Sequence, residues 1–452
     1  MIEDVDVVVI GLGPGGEKVA GDLAQAGLSV VGIDSGLVGG ECPYWGCVPS
    51  KMMIRAGNLI AEAKRLNGVA GSAHVTSDWA PVAARIREEA TDDWNDDVAV
   101  KRLVDKGGRF VRGRGQLTSP NTVAVGDDTF RASRAIVLAT GSSPARPPIP
   151  GLGGTKYWTN HEAIEAETLP ESLIVLGGGA IGVELAQVFA RFGVSVTIVE
   201  AADRLLFQDE PEVGDLLAKV FKQEGIETIT GSSATEIRHD GGAFHVTLDD
   251  QRSLSAERLL VATGRKVNLA DVGADVLGID ISGKSLPVNE RLRVADGVWA
   301  VGDITGKGAF THVAMYQAAI VVADILGNAH PAAEYNAVPH VTFTDPEVGA
   351  VGLSEAAAKE AGYDVQVATA PVASSARGWI HKVGNEGFIK LVVDRKRDTL
   401  LGATSMGPNG GEVLGLLTLA VHAQVPVTQL RSMIFAYPTF HRGVEDALRS
   451  LS

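Results

Sequence analysis

The sequence predicts an α/β fold with two Rossmann-like dinucleotide-binding domains, because one strand, turn, helix and strand pattern occurs twice. In each copy a β-branched apolar run leads into a glycine-rich turn, and an acid ends the next apolar run 23 positions after the first glycine. The chain of 452 residues is also too long for one core, since single cores stop growing at roughly 250–300 residues. We therefore expect two or three domains.

The first copy begins with VDVVVI at residues 5–10, which is typical of a buried parallel strand. Gly11, Gly13 and Gly16 follow, then a helical pattern to about residue 26, and LSVVGI ends at Asp34. In such a unit the pyrophosphate lies at the helix N-terminus and the acid binds a ribose hydroxyl. The first copy therefore predicts a dinucleotide site.

The second copy has its glycines at Gly177, Gly179 and Gly182, and its acid at Glu200. Two copies in one chain indicate two dinucleotides. An acid at this position accepts both ribose hydroxyls and repels a 2′-phosphate, so Glu200 favours NAD(H) over NADP(H). Arg204 lies close in sequence and leaves NADP(H) possible.

Composition limits the partners. A net charge of −15 and a pI near 5.2 offer no basic field for a nucleic acid. No apolar run reaches the length of about 20 residues that a membrane helix needs, and the chain opens with acids rather than a basic targeting region. We expect a cytoplasmic protein with no nucleic-acid or membrane partner.

Both cysteines, Cys42 and Cys47, lie in GGECPYWGCVPSK at residues 39–51. Zinc would need four ligands, and no His or Cys pair nearby completes a set, so no metal site is predicted. Two thiols five positions apart can close a small disulfide, and the positive end of a following helix, with Lys51 near it, would lower the pKa of a thiol there. The pair suits electron transfer; two inert buried cysteines are the alternative.

Seven motifs in order resemble the FAD-dependent pyridine nucleotide-disulfide oxidoreductases, the family of dihydrolipoamide dehydrogenase, glutathione reductase and mercuric reductase. They are GLGPGG at 11–16, CxxxxC with PSK at 42–51, LATG at 138–141, GGGAIGVE at 177–184, VATGR at 261–265, VWAVGD at 298–303 and FTDPEVGAVG at 343–352. The resemblance covers essentially the whole chain.

The resemblance implies that Cys47 is the thiol against the flavin and Cys42 the outer thiol that attacks a substrate disulfide. It also implies that Lys51 and Glu184 pair beside the flavin, although a surface Lys and a helix-face Glu are the alternative. The implied FAD contacts come from Gly11, Gly13, Gly16, Asp34, Lys51, Gly115, Thr140, Gly141, Asp303 and Thr311, and the NAD contacts from Gly177, Gly179, Gly182, Glu200 and Gly264.

The resemblance further implies a domain order. The FAD-binding domain has two parts, residues 1–150 and 270–334, and the NAD-binding domain spans residues 151–269. Residues 335–452 resemble the family's α+β dimerisation domain. A homodimer whose active site is shared between chains follows from this likeness.

The C-terminal motif departs from the family. Its disulfide reductases usually carry His-Pro-Thr with a Glu five positions after the His, as base and orienting group. Here Tyr437 stands at the His position and Arg442 at the Glu position. A phenol, with an ordinary pKa of about 10, does not replace imidazole as a base near neutral pH.

Two interpretations of this departure remain open. His441 and Glu445, four positions apart, would share a face if the segment is helical and could replace the dyad; ordinary polar helix residues are the alternative. Tyr-Pro-Thr and Trp45-Gly46 are similar to the soluble pyridine nucleotide transhydrogenase branch, which has only one of the two cysteines. The lack of a third cysteine argues against mercuric reductase and the large thioredoxin reductases.

The sequence thus predicts an enzyme in which NADH reduces FAD, FAD reduces the Cys42–Cys47 disulfide, and the dithiol reduces a small-molecule disulfide. The alternative enzyme passes electrons directly from flavin to a quinone, a dye, a metal ion or a second nicotinamide. A flavin-binding redox sensor is a third reading, without a supporting sequence feature.

Overall fold

The computed structural model of the chain describes residues 2–451. Its strands are β1 Ile2–Ile10, β2 Val30–Asp34, β3 Arg109–Arg112, β4 Gln116–Ser119, β5 Thr122–Val125, β6 Asp128–Leu138, β7 Ser143–Pro144, β8 Ser172–Leu176, β9 Ser195–Glu200, β10 Glu227–Thr230, β11 Ala234–His239, β12 Phe244–Leu248, β13 Ser253–Ala256, β14 Arg258–Val261, β15 Arg265–Lys266, β16 Arg293–Ala295, β17 Val298–Ala300, β18 Pro339–Thr342, β19 Glu347–Gly352, β20 Val365–Pro371, β21 Phe388–Asp394 and β22 Thr399–Gly407.

Its α-helices are α1 Pro14–Gln25, α2 Glu41–Tyr44, α3 Cys47–Lys64, α4 Ala80–Arg85, α5 Asp97–Asp105, α6 Asn160–Ile164, α7 Ala180–Arg191, α8 Pro211–Gln223, α9 Thr311–Leu326, α10 Glu355–Glu360, α11 Ala376–His381, α12 Gly410–His422, α13 Val427–Arg431 and α14 Gly443–Ser450. Across residues 2–451, no helix is both long enough and apolar enough to cross a bilayer.

The chain divides into two compact units. The first comprises the chain up to Pro49 together with Ala84–Ala145 and Arg265–Tyr335, and the second comprises Ser50–Ala83, Arg146–Gly264 and the chain from Asn336 onward. Each unit has its own sheets and buried apolar clusters.

The first unit is built on a sheet in the order β16-β17-β6-β1-β2-β3, to which β4 and β5 add a hairpin beside β6. Strand β1 pairs in parallel with both β2 and β6. Its predicted apolar run is buried because apolar clusters cover both faces of the sheet, which is the environment of a central parallel strand. The first predicted Rossmann-like unit is therefore present.

The second unit contains a four-stranded parallel sheet, β10-β9-β8-β14, with α7 between β8 and β9. It also contains an antiparallel five-stranded sheet, β18-β19-β22-β21-β20, whose apolar face packs against α12, α13 and α14. The predicted class, two Rossmann-like domains and an α+β C-terminal domain, is confirmed.

Residues 50–83 fall in the second unit, although the sequence groups them with the first part of the FAD-binding domain. Contacts from α3 and the following loop explain this: Arg191 donates to Asn58, Arg65 pairs with Asp345, and Trp79 Nε1 donates to the carbonyl of Ala166. These partners are far from α3 in sequence. The domain boundaries themselves stay a prediction.

Candidate active site

The first glycine turn forms a close cradle between β1 and α1. Gly11 has φ +92°, and a Cβ there would lie 2.4 Å from the carbonyl oxygen of Ala139. A Cβ on Gly16 would lie 1.9 Å from the carbonyl oxygen of Gly11, so both positions need glycine. A Cβ on Gly13 would meet no atom within 4 Å, which leaves the start of α1 open to a ligand.

Asp34 closes this turn from the end of β2. Its Oδ2 accepts a hydrogen bond from the backbone N–H of Leu12 at 2.6 Å, and its Oδ1 accepts one from Gly36 at 2.7 Å. Burial raises the pKa of Asp34, against the lowering effect of these donors and of Arg112.

The second glycine turn repeats this geometry. Gly177 has φ +109°, and a Cβ on Gly182 would lie 2.0 Å from the Gly177 carbonyl oxygen. Gly179, like Gly13, has open space where its Cβ would be. Glu200 accepts backbone hydrogen bonds from Gly178 and Ala202, both at 2.6 Å. Gly264 has φ +114° and faces open space, as a backbone contact to a nucleotide requires.

Arg204 is held by its own loop. Its Nη1 donates to Asp203 Oδ1 at 3.0 Å and its Nη2 donates to the carbonyl of Phe207 at 2.8 Å. The guanidinium of Arg204, because of which the sequence left NADP(H) possible, therefore stabilises the loop after β9.

The remaining predicted FAD contacts of the first unit surround the ends of β1 and β6. Gly115 packs against Ile10 and Ile33, Thr140 is exposed, and Gly141 has φ +62° with open space beside it. Asp303 follows β17, and its Oδ2 accepts the hydroxyl of Ser142 at 2.5 Å.

The thiol pair also lies in the first unit. Cys42 is on the short helix α2, where it is half-buried, and Cys47 is the first residue of α3, where it is exposed. Thr311, the first residue of α9, has its Oγ1 3.5 Å from Cys47 Sγ and also hydrogen-bonds Cys42. The hydrogen bond between the two cysteines and burial raise the pKa of Cys42.

Lys51 lies one turn after Cys47 on α3 and makes its contacts in the second unit. Its Nζ is 2.9 Å from Glu184 Oε2 and 4.8 Å from the centre of the Phe343 ring. The Glu184 side chain is only 6% exposed, and its Oε1 accepts the backbone N–H of Phe343 at 2.7 Å. The ion pair is thus anchored rather than free on the surface.

Two further residues of α7 hold the same segment. Gln187 exchanges two hydrogen bonds with the backbone of Asp345, at 2.8 and 2.9 Å, and Arg191 Nη2 is 2.8 Å from Asp345 Oδ2. Sequence reasoning missed these residues and Phe343. The available signal was the spacing of Glu184, Gln187 and Arg191, polar residues on one face of an otherwise apolar helix.

The C-terminal motif has a different arrangement from the dyad that His441 and Glu445 would form. Helix α14 begins at Gly443, so His441 precedes it, and its Nε2 is 3.3 Å from Thr439 Oγ1. Glu445 instead pairs with Arg442 at 2.9 Å and with Arg449. The helical condition for that dyad is therefore not met.

Tyr437 is 68% exposed, and the guanidinium of Arg442 lies 5.0 Å from its ring centre. The two residues at the family's base and acid positions are thus in contact, but with an aromatic ring and a cation in place of imidazole and carboxylate. No cluster of three or more His, Cys, Asp or Glu suited to a metal occurs within residues 2–451.

Comparison with known families identifies the class. The family model described as pyridine nucleotide-disulphide oxidoreductase matches residues 5–318, and the model of its dimerisation domain matches residues 338–448. The chain belongs to this family. It is an FAD-dependent NAD(P)H:disulfide oxidoreductase, and the matched dimerisation domain supports the predicted homodimer.

Individual relatives extend over nearly the whole chain. It is 32% identical to a mercuric reductase of Bacillus cereus over 452 residues, covering 98% of this chain and 71% of that protein. It is 32% identical to a dihydrolipoyl dehydrogenase of Thermus scotoductus over 463 residues, covering 99% and 97%.

Two solved structures share the fold. The Cu(II) complex of the HOCl-induced flavoprotein disulfide reductase RclA from Escherichia coli matches with a TM-score of 0.87 and 28% identity, covering 99% of each chain. LpdA from Mycobacterium tuberculosis matches with a TM-score of 0.85 and 25% identity, covering 98% of this chain and 99% of that one.

The two glycine turns fit the family's cofactors. Each presents backbone N–H groups at the start of a 12-residue helix, with a glycine whose missing Cβ leaves room for a pyrophosphate. Each also ends in a carboxylate held by two backbone donors. The cofactors predicted from the sequence, FAD and NAD(P)H, are confirmed at the level of the family.

Proposed function

We propose that the enzyme takes electrons from NADH and delivers them through Cys42 and Cys47 to a disulfide acceptor. FAD, when bound, accepts hydride from the nicotinamide and passes an electron pair onward. The first half-reaction converts NADH, a proton and the Cys42–Cys47 disulfide to NAD⁺ and two thiols. In the second, the dithiol returns to the disulfide and the acceptor disulfide leaves as two thiols.

The contact among Cys42, Cys47 and Thr311 carries this proposal. The side chains of Cys42 and Cys47 hydrogen-bond each other, so the two sulfur atoms are neighbours. Cys47 lies at the positive end of α3, which stabilises a thiolate there. We assign Cys47 to the flavin side and Cys42 to the acceptor side.

Each of the two glycine turns is assigned to one dinucleotide. The first turn, with Asp34, Gly115, Thr140, Gly141, Asp303 and Thr311, binds FAD, and the second, with Glu200 and Gly264, binds NAD(H). Both carboxylate oxygens of Glu200 are held by backbone donors, and Arg204 is engaged by Asp203 and Phe207. These contacts favour NADH over NADPH, and initial rates that are higher with NADPH would contradict the preference.

Lys51 and Glu184 form the ion pair that the family places beside the flavin. The backbone of Phe343 holds Glu184, and Gln187 and Arg191 hold the neighbouring Asp345. These contacts support a positioning role for the ion pair, since an exposed surface pair has no such contacts. The partner chain of the homodimer contributes the segment with Tyr437, and a monomer by light scattering would contradict that shared site. A reducing location such as the cytoplasm suits a reactive thiol pair.

An anaerobic titration with NADH tests the route, with the visible spectrum and the free-thiol count recorded together. We expect two new thiols per chain after the first two electrons, with a long-wavelength absorbance band from a thiolate beside the flavin. Loss of flavin absorbance with no new thiols would overturn the thiol route.

The second candidate is direct transfer from flavin to a quinone or a second nicotinamide. The contact between Tyr437 and Arg442 favours it, because these residues replace the base that a thiol-disulfide exchange ordinarily uses. An acceptor panel separates the candidates: Cys42→Ser abolishes turnover with disulfides under the first and leaves quinone turnover intact under the second.

A further inference from the structure

Strands β7 and β15 form a two-stranded antiparallel ribbon that pairs Arg265 with Pro144 and Lys266 with Ser143. These strands carry the chain out of the first unit and back into it, on either side of residues 146–264. Arg265 is thus the first residue of the returning segment. Its side chain is 21% exposed and points back into the first unit.

The guanidinium of Arg265 is engaged at three points. Its Nη2 donates to the carbonyl of Ser142 at 2.6 Å, and its Nε donates to the hydroxyl of the same residue at 2.8 Å. That hydroxyl in turn donates to Asp303 Oδ2. Arg265 Nη1 is 3.3 Å from Glu41 Oε2. One cation therefore serves two carboxylates.

Glu41 stands close to the first glycine turn. Gly39 donates its backbone N–H to the carbonyl of Leu12 at 2.7 Å, and a Cβ on Gly40 would lie 2.9 Å from Gly13 Cα. The chain then enters α2 at Glu41, directly before Cys42. Glu41 thus directly follows a backbone segment that contacts the glycine turn with room for a pyrophosphate, and a carboxylate repels phosphates that bind nearby.

We infer that Arg265 is a positioning residue for FAD, which orients Asp303 by way of Ser142 and neutralises Glu41 beside the first glycine turn. The inference rests on the proposed assignment of FAD to that turn. Without the guanidinium, the Ser142 hydroxyl loses the donor that aligns it, and Glu41 loses the cation that pairs with it.

The test measures the dissociation constant of FAD for the apoprotein by quenching of flavin fluorescence, with no turnover required. We expect Arg265→Gln to raise this constant about 10- to 100-fold, the size of a lost charged hydrogen bond. Arg265→Lys should recover part of the affinity. Adding Glu41→Gln to Arg265→Gln should recover more, because it removes the negative charge that Arg265 pairs with in the wild type.

Lys266→Gln is the matched control, since Lys266 lies on the same strand but is exposed. Affinity equal to wild type in Arg265→Gln, or no recovery from Glu41→Gln in that background, would overturn the inference. If Arg265→Gln does not fold, Arg265→Lys is measured instead. Unchanged FAD affinity in Arg265→Lys, with no further effect when Glu41→Gln is added, would count against the inference.

The variant Gly13→Ala distinguishes a failure of this inference from a failure of the assignment of FAD to the first glycine turn. If Gly13→Ala weakens FAD and Arg265→Gln does not, the role of Arg265 is wrong. If Gly179→Ala weakens FAD and Gly13→Ala does not, the assignment of FAD to the first turn is wrong, and the inference falls with it.

Discussion

The segments 39–51 and 437–445 are both part of family motifs, but they differ in how their side chains are held. In the first, the thiols contact each other and Thr311, and α3 begins at Cys47. In the second, Tyr437 is largely exposed and meets Arg442, which Glu445 holds. The first segment keeps the family's two cysteines, whereas the second has exchanged the family's His and Glu for Tyr437 and Arg442.

The difference separates two steps of the reaction. In the proposed route, reduction of the thiol pair involves Cys42, Cys47 and Thr311, which contact one another at the starts of helices. In the proposed route, reaction with the acceptor involves the segment with Tyr437, which is 68% exposed and can change without disturbing a core. The sharpest tests of this comparison alter one segment and measure both steps.

The largest expected effect follows from removing the outer thiol. Cys42→Ser should lower NADH-dependent disulfide turnover by about 10³-fold or more, because the nucleophile is lost. Flavin reduction by NADH in rapid mixing should change less than about twofold, since hydride delivery does not use this thiol. Disulfide turnover near the wild-type rate would remove Cys42 from the mechanism.

A smaller effect is expected from restoring the family's dyad. The double variant Tyr437→His with Arg442→Glu should raise disulfide turnover at pH 7 by about 10- to 100-fold, below the usual full effect of a general base. Tyr363→His with Arg397→Glu is the matched control, because Arg397 lies over the Tyr363 ring in the same domain. An equal gain in the control, or none in the test variant, would contradict the proposed reason for slow exchange.

The pH dependence of the wild type tests the same point. The pKa of Cys42 is raised, so Cys42 is a neutral thiol at pH 7, and its thiolate fraction rises tenfold per pH unit below that pKa. Turnover with bis(2-hydroxyethyl) disulfide, which does not titrate, should therefore rise between pH 7 and 9 by up to about tenfold per unit. A rate that is flat or falls across this range would show that deprotonation of Cys42 does not limit exchange.

The smallest effect is expected at His441. Because it precedes α14 and Glu445 is engaged by two arginines, His441→Ala should change disulfide turnover by less than about twofold. A loss of tenfold or more, with unchanged thermal unfolding, would show that a relocated base operates in the second segment.

Much of the fold could be predicted from local pattern. A strand, a glycine turn, a helix and an acid at fixed spacing determine one backbone geometry, and both copies adopt it with nearly equal contacts at Gly16 and Gly182. The seven family motifs added the class of enzyme and its cofactors. These features depend on residues that lie within a few tens of positions of one another, so their pattern is visible in the sequence.

Contacts between distant segments could not be predicted. Nothing near Arg265 indicates that it reaches Ser142 and Glu41, and nothing near Glu184 indicates that its other oxygen binds the backbone of Phe343. The sequence likewise allowed His441 and Glu445 to share a face if the segment were helical, but α14 begins at Gly443, after His441.

The sequence by itself determined the two dinucleotide cradles, the thiol pair and the exchange of the C-terminal residues, because backbone sterics and spacing act locally. Only the tertiary structure decided which charges meet. Arg265 serves two carboxylates, α7 holds residues 343–345, and Arg442 lies over Tyr437. Such contacts arise from packing elements far apart in sequence, where burial requires each polar group to find a partner.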